Sequence, residues 1–308
     1  ACCGILYLLK FPTFYSLPIM CGLAFSVWGL YFWMRGRVSK GPEKWYLAGS
    51  LCMALVVGCR PQLLALSLLA FPLFWRLYIT ERRLFTPRGA REFACLVAPY
   101  VVVAVGLLGY NHARFGSLFD FGANYNLTVN DMTKRGMNVG RLAPALFAYF
   151  LQPPCASGVF PFIQPAPFDT TYLGQTIKEV TFGGILACLP VLWILPFAPR
   201  ILRLRMKARS TRTIMGVIVV LLVSGVAVAL LDAEMAGILQ RYYADFGFMF
   251  LAAAVLLAFV VNENLEAGSV AKDLLMKVLI VLVAASVAYS ALLCFVPETG
   301  WYSDIYPW

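Results

Sequence analysis

Apolar stretches of membrane-spanning length alternate with short polar segments along almost the whole chain. A helix rises about 1.5 Å per residue, so roughly 20 apolar residues cross the ~30 Å hydrocarbon core of a bilayer. The pattern therefore predicts an all-α, polytopic membrane protein with about eight transmembrane helices. The apolar runs are Phe11–Met34, Trp45–Cys59, Gln62–Tyr78, Phe93–Tyr110, Phe182–Ala198, Thr213–Leu231, Phe246–Val261 and Leu274–Val296.

One long segment interrupts the series and divides the chain into three parts. Residues 1–110 hold the first four predicted helices, residues 111–181 form an extracytoplasmic segment, and residues 182–308 hold the last four. The middle part is rich in Gly, Pro, Asn and aromatic residues and predicts ordered loop without a reliable strand. Within it, Arg141–Leu151 is predicted as an interfacial amphipathic helix. The apolar face of that helix consists of Leu142, Leu146, Phe147 and Phe150.

Most Lys and Arg residues fall in every second loop between the apolar runs. Short loops rich in Lys and Arg remain on the cytoplasmic side of a membrane, so these loops are predicted to face inward. Both chain ends then lie outside, and the location is the plasma (inner) membrane. The basic residues of the predicted inner loops are Arg35, Arg37, Lys40, Lys44, Arg76, Arg82, Arg83, Arg88, Arg91, Arg200, Arg203, Arg205, Lys207, Arg209, Arg212, Lys272 and Lys277.

Composition supports a membrane protein and excludes several other classes. The chain is 61% hydrophobic and 13% charged, against about 25% charged residues in a soluble domain. Membrane topology accounts for the net charge of +10, and no basic patch resembles a nucleic-acid-binding module. Nine cysteines without a CxxC pair indicate neither a zinc site nor a disulfide framework.

The metal prediction is negative, with one alternative left open. With a single histidine, His112, the chain cannot build a multi-histidine metal site, and no cofactor is expected. Asp232 and Glu234, at the outer end of the sixth run, could bind a divalent cation or act as a base. The alternative is that these two acids are simply solvated.

Arg60 stands between two apolar runs, directly before Pro61. A proline there ends the helix, because it lacks the backbone donor that the next hydrogen bond needs. An arginine at this depth is costly unless it reaches the interface or has a partner. It either extends to the outer head groups or binds the phosphate of a lipid substrate, which the guanidinium fork suits.

The residues that follow the fourth run combine polar and aromatic side chains in one short stretch. Aromatic residues at this level commonly form an interfacial belt, but a belt does not explain the polar residues among them. The alternative is a polar site at the membrane surface, with Arg114 as a phosphate-binding candidate. The candidates for the sugar or acceptor are Tyr110, Asn111, His112, Asp120 and Tyr125, with a structural role as the alternative for His112.

A third group of candidates opens the seventh run. Arg241 and Asp245 are four residues apart, so on a helix they share one face and can pair. The pair is either an internal ion pair near the membrane surface or a phosphate-binding arginine oriented by the carboxylate. Asp245 is also a candidate for the sugar or acceptor site.

Short blocks along most of the chain resemble the GT-C class of membrane glycosyltransferases, which includes protein O-mannosyltransferases and aminoarabinose transferases. The block at residues 110–122 is similar to the YN-x-x-RFG-x-x-x-x-FG pattern of that class. The blocks that carry the resemblance are Phe14–Ile19, Val57–Pro61, Tyr110–Gly116 with Phe119–Gly122, Gly158–Phe162 and Arg241–Phe246.

The resemblance implies transfer of a sugar from a polyprenyl-phosphate carrier to an acceptor at the outer membrane face. Arg60, Arg114 and Arg241 would then bind the carrier phosphate. In that class the catalytic acid lies in the first outer loop. Because this chain starts at Ala1 rather than Met, we expect a fragment whose catalytic base lies upstream.

Two classes of function remain as alternatives to a transferase. A transporter or lipid flippase would have charged residues or broken helices near the bilayer midplane, whereas the predicted spans here are nearly free of charge. A non-catalytic membrane scaffold would use the outer segment only to bind a partner.

Overall fold

The computed structural model describes residues 4–10, 15–122, 125, 139–172, 175–203, 209–235, 237–265 and 268–296, and most of them are helical. The α-helices are α1 (Ile5–Lys10), α2 (Ser16–Val38), α3 (Glu43–Cys59), α4 (Ala70–Trp75), α5 (Pro87–Phe115), α6 (Leu142–Leu146), α7 (Ile185–Cys188), α8 (Ala198–Arg203), α9 (Arg209–Met235), α10 (Tyr243–Asn264) and α11 (Val270–Leu292). The 3₁₀-helices are Pro61–Leu69, Arg83–Phe85, Val139–Arg141, Pro190–Phe197, Gln240–Tyr242 and Leu293–Phe295, and the π-helices are Arg76–Thr80 and Phe147–Leu151.

Within the described residues, six helices are long and apolar enough to cross a membrane. The chain is therefore a multi-pass helical membrane protein. The six are Ser16–Val38, Pro61–Thr80, Pro87–Phe115, Thr213–Met235, Gln240–Glu263 and Val270–Phe295. The second and fifth predicted spans form shorter helices, since α3 and the mostly 3₁₀-helical Pro190–Ile201 extend only ~25 Å and ~22 Å. The count of eight stays a prediction for these two.

Two of the apolar segments are irregular helices rather than continuous α-helices. The third passes from 3₁₀ to α to π geometry between Pro61 and Thr80. The fifth breaks at Leu189–Pro190, where the Val191 N–H donates to Ser286 Oγ of α11 at 3.2 Å. A break in a membrane helix is tolerated when neighbouring side chains satisfy the freed backbone groups. The break at Pro190 is satisfied in this way.

The segment between the fourth and fifth apolar runs contains strands, so the prediction of no reliable strand was wrong. Strands β1 (Cys155–Ala156) and β2 (Ile163–Gln164) pair antiparallel, and β3 (Ala166–Tyr172) and β4 (Gln175–Thr181) form a longer antiparallel hairpin. The register pairs Tyr172 with Gln175, which leaves two residues of sequence between the strands. β3 and β4 contain several Thr, Tyr, Ile and Val residues, which favour strands. The surrounding Gly and Pro residues obscured this signal.

The helix predicted at Arg141–Leu151 is confirmed as part of a continuous helical run, Val139–Leu151, and its interfacial position stays a prediction. Its exposed large side chains are Leu146, Phe147 and Leu151, whereas Ala145 and Tyr149 are buried. The run therefore packs on the protein along one side and leaves an apolar side free. That arrangement suits a helix lying at a membrane surface.

The chain packs as two units, Leu17–Gly136 and Ala1–Ser16 with Met137–Trp308. In the first, which we call the N-terminal unit, α2 and α3 approach closely at two glycines. A Cβ on Gly49 would lie 2.5 Å from Trp33 Cδ1, and one on Gly29 would lie 3.1 Å from the Gly49 carbonyl oxygen. The Trp33 indole donates to Ser50 Oγ at 3.1 Å. Small residues permit such contacts between membrane helices.

The second unit, which we call the C-terminal unit, is built around α10. This helix packs against α9 and the 3₁₀-helix Pro190–Phe197. Its aromatic residues Phe246 and Phe250 meet Tyr149 and Phe150 of the interfacial helix, with ring centroids 5.0 Å apart for Tyr149–Phe246 and 5.3 Å for Phe150–Phe250. Aromatic packing thus joins the helical run Val139–Leu151 to the start of α10.

Candidate functional site

The polar block after the fourth span forms the end of α5 and a loop that folds back on it. Asn111 is buried and its Nδ2 donates to the Leu118 carbonyl at 3.3 Å. Gly116 ends the helix with a left-handed φ of 71°. The Gly122 N–H donates to Asp120 Oδ1 at 2.8 Å. Asn111 and Asp120 therefore hold the loop, which is a role an aromatic belt alone does not explain.

The cationic and aromatic side chains of this block point outward. Arg114 Nη1 donates to the Tyr110 hydroxyl at 2.7 Å, and the guanidinium lies 5.1 Å from the Phe115 ring centroid. Phe115 in turn stacks on Tyr125, with centroids 5.2 Å apart and planes at 14°. His112 is exposed at the same helix end. The helix end thus presents an exposed arginine beside a stacked aromatic pair.

Arg60 occupies the junction predicted from the sequence. It follows the last residue of α3 with φ −145° and ψ 90°, which is extended backbone. Its N–H donates to the Val56 carbonyl at 2.8 Å, and its own carbonyl accepts from Leu63 N at 3.0 Å. The aliphatic part of the side chain lies beside Gly22 of α2. Arg60 is therefore a partly buried residue at a helix break, as the proline at position 61 predicts.

Arg241 sits in a 3₁₀ turn immediately before α10 and is held between two tyrosine rings. Its guanidinium carbon lies 4.8 Å from the Tyr15 ring centroid and 5.0 Å from that of Tyr242. Nη2 donates to the Tyr242 hydroxyl at 3.2 Å. Nε is buried and makes no hydrogen bond within the described part of the chain. Cation–π contacts of this kind fix the orientation of the cation.

A set of hydrogen bonds positions the turn that carries Arg241. Gln240 Oε1 accepts from the Phe182 N–H at 3.0 Å, and the Tyr243 hydroxyl donates to the Ala148 carbonyl at 3.0 Å. The Tyr149 hydroxyl donates to the Gly237 carbonyl at 2.8 Å. These buried bonds connect the start of α10 to the interfacial helix and to the end of β4. These three hydrogen bonds therefore hold the turn that carries Arg241 in place.

The acidic residues near this turn are buried rather than solvated. Asp232 is 3% exposed, Glu234 is 8% exposed and Asp245 is fully buried. Arg141, also buried, belongs to a 3₁₀ turn that contacts α9, the helix carrying Asp232 and Glu234. The solvated alternative for Asp232 and Glu234 was thus wrong. Among the described residues, no group of three His, Cys, Asp or Glu side chains could hold a metal ion.

A second polar cluster lies at the basic end of the N-terminal unit. The charge pattern predicts only that its arginines belong to an inner loop. Glu92 is fully buried at the start of α5. Its carboxylate accepts from Arg83 at 2.6 Å, from Arg88 at 3.2 Å and from the Tyr78 hydroxyl at 3.0 Å. Arg88 also donates to the Lys40 carbonyl at 2.6 Å. The i, i+4 spacing of Arg88 and Glu92 was the signal that could have revealed this cluster.

A small cavity of about 20 Å³ adjoins the break at Leu189 in the C-terminal unit. Cys188, Gln240, Tyr243 and Tyr289 contribute to its wall. One water molecule needs ~10–15 Å³ of such a cavity, so this cavity is too small for a sugar ring.

The candidate residues divide between the two units. Tyr110, Asn111, Arg114, Asp120 and Tyr125 form one cluster in the N-terminal unit, which also holds His112 and Arg60. Arg241 and Asp245 belong to the C-terminal unit. No family model, no curated protein and no solved structure matches the chain. The geometry therefore defines the class, a multi-pass helical membrane protein with arginine–aromatic groups at helix ends.

Proposed function

We propose that the protein binds a polyprenyl-phosphate-linked sugar at the outer ends of its helices and belongs to a glycosyltransferase of the GT-C type. The observation that carries the proposal is the Arg241 guanidinium, which contacts the rings of Tyr15 and Tyr242 at the start of a membrane helix. A cation fixed at this level suits the phosphate of a lipid whose chain lies in the bilayer.

The chemistry of the transfer favours an arginine at the carrier phosphate. The acceptor oxygen bonds to the anomeric carbon of the sugar while the bond from that carbon to the phosphate oxygen breaks. The acceptor proton passes to a base, and the carrier leaves as a phosphomonoester with an additional negative charge. An arginine at this phosphate stabilises the transition state, in which this charge develops, more than it stabilises the ground state. Such a difference is the condition for catalysis.

The aromatic rings supply the second part of the argument. Stacking on Tyr15 and Tyr242 orients the Arg241 guanidinium before a ligand arrives, so less conformational entropy is lost on binding. At the end of α5, the exposed Arg114 beside Phe115 and Tyr125 presents the same combination of cation and ring. Within the N-terminal unit, Arg114 is a separate phosphate-binding candidate.

Changing Arg241 tests the proposal. Charge-assisted hydrogen bonds contribute about 1.5–3 kcal/mol, so Arg241→Ala is expected to weaken binding of a C15 polyprenyl phosphate at least about tenfold. Arg241→Lys should fall between Ala and the wild type, because it keeps the charge but loses the fork. Binding is measured by native mass spectrometry of the protein in detergent, with the C15 alcohol as the uncharged reference ligand.

The matched control is Arg91→Ala, which removes an exposed arginine at the basic end of the N-terminal unit. This variant should bind the phosphate like the wild type. Equal affinities of the wild type and Arg241→Ala would refute the phosphate role of Arg241. Equal affinities of the wild type for the C15 phosphate and the C15 alcohol would refute it as well.

Orientation is a separate proposal, and a labelling experiment tests it. In a cysteine-free background, Ser117→Cys in the loop after α5 should react with a membrane-impermeant maleimide in intact cells. Lys40→Cys, in the basic loop between α2 and α3, should react only after the membrane is permeabilised. The reverse pattern would place the Arg114 group inside the cell and contradict the outer-face proposal.

A further inference from the structure

The basic end of the N-terminal unit carries an aromatic strip that ends at two cations. Trp28 stacks on Phe32 with ring centroids 5.5 Å apart, and Phe32 lies 5.9 Å from Trp45. Tyr31 flanks this row, 5.5 Å from Phe32. Trp28 and Tyr31 are each about half exposed, at 55% and 50%. Because α2 is a candidate membrane span, these rings face the lipid.

Both cations are directed at the ring of Trp45. The Arg35 guanidinium carbon lies 5.9 Å from its centroid, and Lys44 Nζ lies 5.1 Å from it. Both side chains are exposed, and among the described residues neither forms an ion pair. Two like charges thus converge on one ring.

An interfacial aromatic belt explains Trp45 but not the two cations that share its ring. Like charges in this position repel each other, and the repulsion grows where the local dielectric is lower than that of water. An anion that contacts both cations offsets this repulsion and gains two charge-assisted contacts. The aromatic strip leading from this point along α2 offers a surface for an acyl chain.

We propose that Arg35, Lys44 and Trp45 bind the head-group phosphate of an anionic phospholipid, with an acyl chain lying along Phe32 and Trp28. The occupant is a lipid of the leaflet at the basic end of the helices, which the charge pattern predicts to be cytoplasmic. This site is independent of the carrier site proposed at Arg241, which belongs to the other unit.

Competition between two lipids tests the site. The purified protein is incubated with equimolar phosphatidylglycerol and phosphatidylcholine, and native mass spectrometry gives the ratio of bound lipids. Each cation near a membrane surface contributes about a fivefold preference for an anionic lipid. Arg35→Gln with Lys44→Gln should therefore lower the phosphatidylglycerol preference at least about tenfold. Arg35→Lys with Lys44→Arg should retain it.

The control is Arg91→Gln, which removes an exposed arginine of the same basic end without an aromatic partner in the described part of the chain. It should leave the lipid ratio unchanged. If Arg91→Gln lowers the ratio of bound phosphatidylglycerol to phosphatidylcholine as much as Arg35→Gln alone does, the whole basic surface attracts the lipid and the proposal fails. It also fails if C15 polyprenyl phosphate displaces phosphatidylglycerol at equal concentration, because the carrier would then be the occupant.

Discussion

Replacing both arginines that contact Glu92, as Arg83→Ala with Arg88→Ala, is expected to lower the free energy of unfolding by about 3 kcal/mol. The Glu92 carboxylate is fully buried and loses both cationic partners in this variant. Only the Tyr78 hydroxyl would remain among its three hydrogen-bond donors described above. A buried charge without a counterion carries a desolvation penalty of several kcal/mol.

A third substitution separates the charge effect from lost packing. Adding Glu92→Gln to the double variant removes the isolated charge, so the triple variant should be more stable than the double one. Unfolding in mixed micelles of increasing dodecyl sulfate content gives the free energies. The exposed Arg91→Ala variant should change stability by less than about 0.5 kcal/mol. A triple variant less stable than the double one would show that the carboxylate is not the source of the loss.

The Glu92 cluster also connects chain segments at the basic end of the N-terminal unit. Arg83 precedes α5 in a short 3₁₀ turn, and Arg88 reaches the Lys40 carbonyl in the loop between α2 and α3. Opening this cluster should therefore expose both loops. Limited proteolysis after Lys40, which both variants keep, offers a second measurement, with faster cleavage expected in the double variant than in Arg91→Ala.

Gly184→Ala is expected to destabilise the C-terminal unit by about 3 kcal/mol, because overpacking against backbone has no flexible side chain to yield. A Cβ at this position would lie 2.6 Å from the Phe150 carbonyl carbon and 2.7 Å from Leu151 N. The backbone of Gly184 has φ −71° and ψ 158°, which alanine also adopts. The expected loss is thus steric rather than conformational. The Gly184 N–H donates to the Gln152 carbonyl at 2.6 Å, and this bond should lengthen or break.

Gly158→Ala is the matched control, since Gly158 is also outside a helix and has no atom within 4 Å of an added Cβ. It should leave the unfolding free energy within about 0.5 kcal/mol of the wild type. The same micelle titration compares the two variants. If Gly184→Ala is as stable as Gly158→Ala, the interfacial helix and the start of α7 do not pack as closely as the structure indicates.

Gly184 matters for the candidate site because it supports the turn that carries Arg241. Gln152, its hydrogen-bond partner, also accepts from Thr181 Oγ1 at 2.6 Å. The next residue, Phe182, donates its backbone N–H to Gln240 Oε1. A shift at Gly184 should therefore reach Arg241 through three hydrogen bonds. Weaker binding of the C15 phosphate by Gly184→Ala than by Gly158→Ala would show that the packing at Gly184 affects Arg241.

The sequence alone predicted the features that depend on local hydrophobicity and on helix-breaking residues. The apolar runs became helices, the break after Arg60 appeared where Pro61 predicts it, and Arg141–Leu151 became helical. Each follows from the period, length or backbone chemistry of neighbouring residues. The long helix of the fourth run also extends beyond Tyr110 to Phe115, since nothing before Gly116 ends it.

Only the tertiary structure decided which polar residues are buried and what they contact. Glu92, Asp232 and Glu234 look like ordinary loop or helix-end acids, yet all three are buried. The two tyrosine rings around Arg241 include Tyr15, which lies far away along the chain. Hydropathy describes a residue and its near neighbours, whereas burial and electrostatic partners depend on which distant segments pack beside it. The sequence was therefore enough to predict a membrane protein, but it was not enough to predict how the charged residues are arranged.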